Sequence, residues 1–449
     1  MHPAIINQPA SLLNASLYLP GDKSVSHRAV FISAISKGKT RVNNFLFSED
    51  SLATIDAFCK LGVKIKLDKS SKRAVIFGKG LHGLSKPKTP IHIEESGTTY
   101  RILAGILSGQ EFTSFLTAGK ALSKRPMRRI TEPLRLMGAE IKSKIKNIKS
   151  KIEEYPPLKI KGGNLKAITY KIPVASAQVK SAILFAGLYA KGMTKVIEPL
   201  KTRDHTERML KLFGANIKEK GKERTLTQHS LVSPGIIYIP ADISSAAFFI
   251  VLASLLPGSD LIIKSLGINP TRAGLISKLK EMGAKIELRK ENRDFFEPMA
   301  DARVKSAALH GTTIKCMEIP LIIDELPIFM VAASLAKGKT VIEGAQELRV
   351  KETDRINSMQ INLKKMGANI RVKKKGSDEC IEIIGVDRLK GACVKSFGDH
   401  RTAMSMVIAG LLAQGRTCLD DTGCIDKSFP GFIGILKHLL GRYCITAKE

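Results

Sequence analysis

The sequence predicts an α/β protein built from six copies of one βαβαββ unit and divided into two halves. The first observation is the composition, since 449 residues that are 44% hydrophobic and 25% charged are typical of a globular chain with more than one core. The second is a pair of glycine patterns that recur in step along the whole chain. Such regular recurrence predicts a repeated supersecondary unit.

Each repeat contains one glycine between the end of its first helix and an apolar strand, and a second glycine after its second helix. A glycine just past a helix commonly adopts the left-handed conformation, which we expect at all of these positions. The first glycines are Gly38, Gly109, Gly192, Gly258, Gly338 and Gly415, and the second are Gly62, Gly138, Gly214, Gly283, Gly367 and Gly441.

The repeats divide the chain near Pro240. We expect one domain over 21–239, which holds repeats one to three. We expect the other over 1–20 plus 240–449, which holds repeats four to six and the short alternating run before Pro20. Two similar halves predict a ligand cleft between them.

The charge balance favours an anionic ligand but not a nucleic acid. The chain has 72 basic and 41 acidic residues, a formal net charge of +31. Only 5% of the residues are aromatic and none is Trp, so platforms for stacking bases are scarce. The lysines are also spread along the chain. We therefore expect no nucleic-acid partner, and a positive field that speeds the approach of a polyanionic small molecule.

The seven cysteines indicate a reducing compartment. They form no CxxC pair and have no companion cluster of histidines, which argues against a zinc site and a disulfide framework. A basic-then-apolar signal is absent from the first residues, and no apolar run approaches the length of a membrane span. We expect a cytoplasmic location, no membrane partner and a monomer.

Basic residues stand at four predicted helix starts, where the helix dipole penalises a cation. A single case is compatible with a solvated first turn, but a bound anion would make the arrangement favourable. Four such helix starts predict an anion clamp, because guanidinium groups pair with phosphate and carboxylate in a bidentate manner. The residues concerned are Lys23 with Arg28, Lys124 to Arg129, Arg349 to Arg355, and His400 with Arg401.

Acidic residues near these cations supply candidates for proton transfer. Asp324 interrupts an apolar stretch, where it could cap the next helix or act as a general base. Glu352 precedes Arg355 by three residues and could pair with it. Asp204 and Glu207 have the spacing of a capping box, leaving Arg203 as the functional candidate there. Neither a nucleophilic triad nor a metal-ligand set emerges, so acid–base chemistry and electrostatic stabilisation are expected.

At these residues the sequence resembles the EPSP synthase (3-phosphoshikimate 1-carboxyvinyltransferase) family over essentially its full length. Four motifs are similar to forms that mark the glyphosate-tolerant subgroup: Gly21 to Ser24, Ser176 to Lys180, Arg203 to Glu207, and Asn269 to Arg272. The other motifs that carry the resemblance are Ser96 to Arg101, Lys124 to Met127, Asp324 with Glu325, Arg349 to Arg355, Asp399 to Arg401, and Lys427 to Pro430.

The resemblance implies a two-domain inverse α/β prism that closes on shikimate 3-phosphate and phosphoenolpyruvate, without a metal or organic cofactor. It implies that shikimate 3-phosphate is held by Lys23, Ser24, Arg28, Ser176, Ala177, Gln178, Arg203, Asp324 and Lys351. It implies that phosphoenolpyruvate is held by Lys23, Gly97, Arg125, Gln178, Arg355, Arg401 and Lys427.

The resemblance also implies an addition–elimination reaction. The 5-hydroxyl would attack C2 of the enolpyruvate while its methylene is protonated, and phosphate would then leave the tetrahedral intermediate. Asp324 is the expected base towards the hydroxyl, and Glu352 and Lys23 are the candidates for the methylene proton.

Two residues depart from the family's pattern. Glu95 stands where the family usually has Asn, so its carboxylate could repel that of phosphoenolpyruvate. Lys120 replaces the Asp of the usual Gly-Asp pair ahead of Lys124 and Arg125, so this loop could differ.

Two alternatives stay open at this point. The sister UDP-N-acetylglucosamine enolpyruvyl transferase has the same repeats, but it would show Lys-Asn at 23–24 and a cysteine on the loop near Arg125, where residues 112–129 have none. A basic nucleic-acid-binding protein of repeated α/β units is supported only by the net charge.

Overall fold

A computed structural model describes residues 2–9, 12–148, 151–292, 295–375 and 378–447. Its strands are β1 (Ala4–Ile6), β2 (Asn14–Leu17), β3 (Lys37–Asn43), β4 (Lys64–Asp68), β5 (Arg73–Lys79), β6 (Ile91–Ile93), β7 (Thr113–Ala118), β8 (Glu140–Ile148), β9 (Lys151–Lys161), β10 (Thr169–Lys171), β11 (Met193–Ile197), β12 (Ile217–Lys220), β13 (Glu223–Thr227), β14 (Ile236–Tyr238), β15 (Asp260–Gly267), β16 (Lys285–Asn292), β17 (Met299–Lys305), β18 (Thr313–Ile314), β19 (Lys339–Glu343), β20 (Asn369–Lys375), β21 (Asp378–Ile384), β22 (Cys393–Val394), β23 (Thr417–Leu419) and β24 (Ile445–Ala447).

The α-helices alternate with these strands. They are α1 (Lys23–Ala34), α2 (Glu49–Lys60), α3 (Gly97–Ser108), α4 (Arg128–Leu136), α5 (Ala177–Gly187), α6 (His205–Leu212), α7 (Ile243–Leu255), α8 (Gly274–Glu281), α9 (Ile319–Ile322), α10 (Leu326–Ser334), α11 (Arg355–Lys365), α12 (His400–Leu412) and α13 (Phe432–Leu440).

The chain divides into two compact units. One unit is Gly21–Ile239, called the N-unit below, and the other is Met1–Pro20 with Pro240–Glu449, called the C-unit. Over the described residues, each unit contains three four-stranded sheets. The mixed α/β architecture of repeated units predicted from the glycine patterns is therefore confirmed.

All six sheets share one topology. In the N-unit the strand orders are β14-β3-β5-β4, β6-β7-β9-β8 and β10-β11-β13-β12. In the C-unit they are β2-β15-β17-β16, β18-β19-β21-β20 and β22-β23-β1-β24. The first two strands in each order pair in parallel, and the remaining pairs are antiparallel.

Three strands join sheets that lie far from them in the sequence. Asn14 to Leu17 of β2 pair in parallel with Asp260 to Ile263 of β15, and β1 lies between β23 and β24 in the last sheet of the C-unit. Conversely, Ile236 to Tyr238 of β14 complete the first sheet of the N-unit by pairing with β3. The N-terminal segment therefore belongs to two sheets of the C-unit.

The first helix of each repeat is buried on nearly every side, whereas the second helix buries one face. Helices α1, α3, α5, α7, α10 and α12 form the first set. In α10 every residue from Leu326 to Ser334 is buried. Helices buried in this way are enclosed by other elements, so polar groups reach a ligand mainly from the first turns of these helices.

The positive φ angles expected of left-handed glycines are found at every repeat glycine but one, although the ψ of 148° at Gly441 is extended. The repeat glycines have positive φ angles, for example 95° at Gly38 and 97° at Gly283, but Gly109 has a φ of −92°. A Cβ atom at Gly109 would lie 2.2 Å from the Tyr189 ring. Close approach of a side chain, and not backbone conformation, therefore requires glycine at this position.

Over the described residues, the helices are all too short or too polar to cross a lipid bilayer.

Candidate functional site

The start of α1 in the N-unit carries a cation held beside a carboxylate. Asp22 caps the helix, since its side chain accepts a hydrogen bond of 2.9 Å from the Val25 N–H. Lys23 is the first helical residue, and its Nζ lies 3.0 Å from Oδ2 of Asp50. Both side chains are partly exposed, with relative accessibilities of 19% and 23%, so Lys23 can still reach a ligand.

Arg28 joins three helices from a buried position. Its Nε donates to Thr206 Oγ1 at 2.6 Å, and its Nη2 donates to Ser181 Oγ at 3.0 Å. A third bond of 3.0 Å runs from Nη1 to the Ser24 carbonyl. Only 2% of Arg28 is exposed, so its guanidinium fixes the starts of α1, α5 and α6 relative to one another.

The starts of α3 and α5 adjoin, with two guanidinium groups beside them. Gln178 donates to Thr98 Oγ1 at 3.1 Å and accepts from Arg101 Nη1 at 2.9 Å. A Cβ atom at Gly97 would lie 2.7 Å from Nη1 of Arg101 and 3.1 Å from Nη1 of Arg125. A helix N-terminus flanked by two arginines is suited to an anion.

The carboxylate of Glu95 is occupied by the backbone of a neighbouring turn. It accepts hydrogen bonds from the N–H groups of Ala121 and Leu122, at 2.9 and 2.7 Å. The residue next along the chain, Ser96, caps α3 through its hydroxyl. The departure at Glu95 is thus part of the structure that surrounds Arg125.

The predicted capping box at Asp204 and Glu207 is wrong. The Asp204 side chain does not cap α6 and instead lies 2.9 Å from Nε of Arg208. Glu207 is fully buried, and its carboxylate contacts two buried cations. The first is Lys180, whose Nζ lies 2.7 Å away. The second cation is Arg224, whose Nε lies 3.3 Å from Glu207.

Lys180 therefore differs from the other residues of its motif. Its buried ammonium contacts Glu198 and Glu207 at 3.0 and 2.7 Å. Ser176 instead caps α5 at a half-buried position, followed by Ala177. Arg203, also half-buried, lies two residues before α6 and next to its N-cap residue Asp204.

Arg355 is the centre of the charged cluster in the C-unit. Its Nε lies 3.0 Å from Asp399, its Nη1 3.4 Å from Asp324 and its Nη2 2.5 Å from Glu352. Burial opposes the charge, but Asp399, Glu352 and Asp324 together raise the pKa of Arg355 above its ordinary value. The predicted pairing of Glu352 with Arg355 is confirmed.

Asp324 does not cap the following helix. Glu325 is the N-cap residue of α10 and makes no side-chain cap. The Asp324 carboxylate faces Arg355, and its carbonyl accepts a bond of 2.7 Å from Arg401 Nη1. Of the two readings of Asp324, the structure thus supports a carboxylate set among cations.

Lys351 and Lys427 differ in their surroundings. Desolvation by burial lowers the pKa of Lys351 despite the nearby Asp324, and Arg355 lowers it further. Lys427 is exposed and follows the short turn Gly423–Ile425. The start of α12 carries Arg401, which is 8% exposed.

Several groups that organise the site have contacts that leave no signal in the sequence. Arg101 lies within a quoted motif, but its bond to Gln178 depends on the approach of α5 to α3. Ser181 and Thr206 hold Arg28, and neither residue type signals such a role in a sequence. Asp50 lies in the first turn of α2, where an acidic residue is expected for the helix itself.

Comparison with known proteins identifies close relatives. A family model described as EPSP synthase (3-phosphoshikimate 1-carboxyvinyltransferase) matches residues 7–436. The chain is 48% identical to the 3-phosphoshikimate 1-carboxyvinyltransferase of Geobacter sp. (strain M21), over 97% of this chain and 99% of that one. It is 46% identical to the enzyme of the same name from Desulforamulus reducens, again over 97% and 99%.

Solved structures agree with these relatives. The chain superposes on EPSP synthase from Acinetobacter baumannii with a TM-score of 0.87 at 42% identity, with full coverage of both chains. The enolpyruvyl transferase NikO from Streptomyces tendae gives a TM-score of 0.76 at 15% identity, which shows a shared fold alone.

Proposed function

The chain belongs to the EPSP synthase family, and from this premise we propose that it transfers the carboxyvinyl group of phosphoenolpyruvate to the 5-hydroxyl of shikimate 3-phosphate, releasing phosphate. This activity belongs to the biosynthesis of chorismate and the aromatic amino acids. Relatives at 46–48% identity over nearly the full length carry this name, which favours it over the UDP-N-acetylglucosamine transferase. The observation that carries the proposal is the set of cations at helix starts, with Arg101 and Arg125 at Gly97.

We propose that the residues assigned below bind the two substrates. Two polyanions repel each other, so cations must offset their charge before they can react. Shikimate 3-phosphate is assigned to Lys23, Ser24, Arg28, Ser176, Ala177, Gln178, Arg203, Asp324 and Lys351. Phosphoenolpyruvate is assigned to Lys23, Gly97, Arg125, Gln178, Arg355, Arg401 and Lys427.

The assigned acid–base groups account for both steps. In the addition, Asp324 removes the proton of the 5-hydroxyl while the hydroxyl oxygen bonds to C2 of phosphoenolpyruvate. The methylene carbon C3 gains a proton from Glu352 or Lys23. In the elimination, C3 loses a proton, the C2–O bond to phosphate breaks, and the double bond returns. Glu352 is suited to this exchange because its side chain is 36% exposed while still touching Arg355.

Phosphate release tests the proposal. Purified protein should release phosphate from phosphoenolpyruvate only when shikimate 3-phosphate is also present. Turnover with UDP-N-acetylglucosamine in place of shikimate 3-phosphate would contradict the assignment and favour the sister enzyme. Salt-resistant DNA binding without such turnover would favour a nucleic-acid-binding protein.

We also propose that the chain belongs to the glyphosate-tolerant subgroup, on the basis of the four motifs quoted for it. Glyphosate should then inhibit only weakly when it competes with phosphoenolpyruvate. The measurement is the inhibition constant at several phosphoenolpyruvate concentrations, and tight inhibition would contradict the proposal.

A further inference from the structure

The carboxylate of Glu95 joins two segments that lie 26 residues apart. Glu95 precedes α3, and both of its oxygens accept backbone hydrogen bonds from the chain that leads into the turn Leu122–Lys124. The bonds to Ala121 and Leu122 are 2.9 and 2.7 Å long. Glu95 is half-buried, and both of its carboxylate oxygens bind the backbone at the start of this turn.

The turn Leu122–Lys124 has no side-chain cap from its own sequence. Ala121 occupies the N-cap position, and no side-chain bond closes the turn there. The preceding Lys120 cannot supply one, because an ammonium group has donors and no acceptor. The N–H groups at the start of a helical turn need acceptors, and Glu95 provides them from another segment.

The two joined segments are the ones that bring Arg125 to Gly97. Arg125 ends the turn, where its N–H donates to the Leu122 carbonyl at 3.0 Å. Gly97 lies two residues after Glu95, and the Arg125 guanidinium lies 3.1 Å from the place a Gly97 Cβ would take. Glu95 thus connects the segment of Gly97 to the turn that carries Arg125.

We propose that Glu95 is a positioning residue for phosphoenolpyruvate, acting by fixing the turn that carries Arg125. The proposal rests on the proposed function, in which Arg125 binds this substrate. The expected repulsion between Glu95 and the carboxylate of phosphoenolpyruvate is reduced, because both Glu95 oxygens accept hydrogen bonds from backbone N–H groups. Repulsion and positioning then predict opposite effects when the carboxylate is removed.

The first experiment is Glu95→Ala in the full chain. Positioning predicts that the KM for phosphoenolpyruvate rises about tenfold, while the KM for shikimate 3-phosphate stays within about twofold. Repulsion predicts a fall in the KM for phosphoenolpyruvate. Glu94→Ala is the matched control, because Glu94 is the adjacent carboxylate and is exposed beside His92. It should change neither constant.

The second experiment is rescue by a local cap. Lys120→Asp, added to Glu95→Ala, places a carboxylate one residue before Ala121, where it can accept from the start of the turn. We expect most of the lost affinity to return, although the change removes a cation and adds an anion. Lys120→Ala, added to Glu95→Ala, should not restore it.

Amide hydrogen exchange supplies a readout that does not depend on turnover. Glu95→Ala should speed exchange in the peptide 119–125, and the added Lys120→Asp should slow it again. Unchanged exchange, equal rises in both KM values, a fall in the KM for phosphoenolpyruvate, or a failed rescue would each overturn the role of Glu95. If the unaltered chain does not release phosphate from the two substrates, the proposed function itself is wrong.

Discussion

At the scale of single residues, Asp324 is the group whose chemistry is most open to test. Its carboxylate lies 3.4 Å from Arg355, and Arg355 keeps Asp399 and Glu352 as partners if Asp324 is removed. Loss of the Asp324 carboxylate should therefore remove the proposed base while Arg355 keeps its other partners.

Asp324→Ala should lower kcat by about 10²- to 10⁴-fold, the usual contribution of a general base. The affinity for shikimate 3-phosphate should fall far less. The measurement is steady-state kinetics with direct binding of shikimate 3-phosphate. Asp301→Ala is the control, since Asp301 pairs with Lys264 in a sheet of the C-unit. Equal losses in turnover and binding would contradict the role of Asp324 as base.

Lys351 predicts a pH dependence. Desolvation lowers the pKa of Lys351 below that of an ordinary lysine. In the proposed assignment the protonated Lys351 binds shikimate 3-phosphate, so affinity should fall as the pH rises through this lowered pKa. The loss should begin at a lower pH than an unperturbed lysine would give.

Lys351→Arg separates this effect from others, because a guanidinium keeps its charge throughout. The KM for shikimate 3-phosphate is measured from about pH 7 to pH 10, below the ordinary lysine pKa. The unaltered chain should lose affinity on the alkaline side, and Lys351→Arg should retain it. If the KM for shikimate 3-phosphate rises equally at alkaline pH in the unaltered chain and in Lys351→Arg, Lys351 is not the titrating group.

At the scale of elements, the starts of α5 and α6 depend on a buried charge network. Lys180 and Arg224 share the carboxylates of Glu198 and Glu207, and all four side chains are at most 1% exposed. Removing one partner from a buried pair leaves an uncompensated charge, which costs about 3–5 kcal/mol.

Lys180→Met should lower the free energy of unfolding by about 3 kcal/mol, near the lower end of this range, because Arg224 still neutralises part of the negative charge. The control is Lys191→Met, since Lys191 is exposed near the other end of α5. Denaturant unfolding followed by circular dichroism measures both. Equal stability of the two variants would show that the network contributes nothing.

The sequence carried much of this organisation at the level of elements. The repeat glycines and the apolar helices predicted the repeated unit, because backbone conformation and burial leave local signals. The pairing of β14 with the first sheet and of β1 with the last left no local signal in the sequence. Both strands have three residues, which is too short for a recognisable periodicity.

The site was less predictable for a related physical reason. Helix starts rich in cations were visible as conflicts with the helix dipole. Partners across elements were not, and so Glu207 was assigned to a capping box when it neutralises Lys180 and Arg224. Likewise the two bonds of Glu95 depend on the turn at Leu122 lying beside it.

At the scale of the whole molecule, the formal net charge of +31 predicts electrostatic steering of both anionic substrates. Raising the concentration of potassium chloride from about 20 to 200 mM should lower kcat/KM several-fold, since the screening length shortens. The value of kcat should stay nearly constant. Sucrose at matched osmolarity is the control. A parallel fall in kcat and kcat/KM would contradict steering, which acts on the encounter alone.

The most direct test of the proposed transfer follows the fate of the carboxyvinyl group. Phosphoenolpyruvate labelled with ¹³C at C2 is incubated with the protein and shikimate 3-phosphate, and the products are followed by NMR. We expect a labelled enol ether of shikimate 3-phosphate and free phosphate to form in equal amounts, and only when both substrates are present. Phosphate release without shikimate 3-phosphate, or transfer of the label to a UDP-sugar instead, would contradict it.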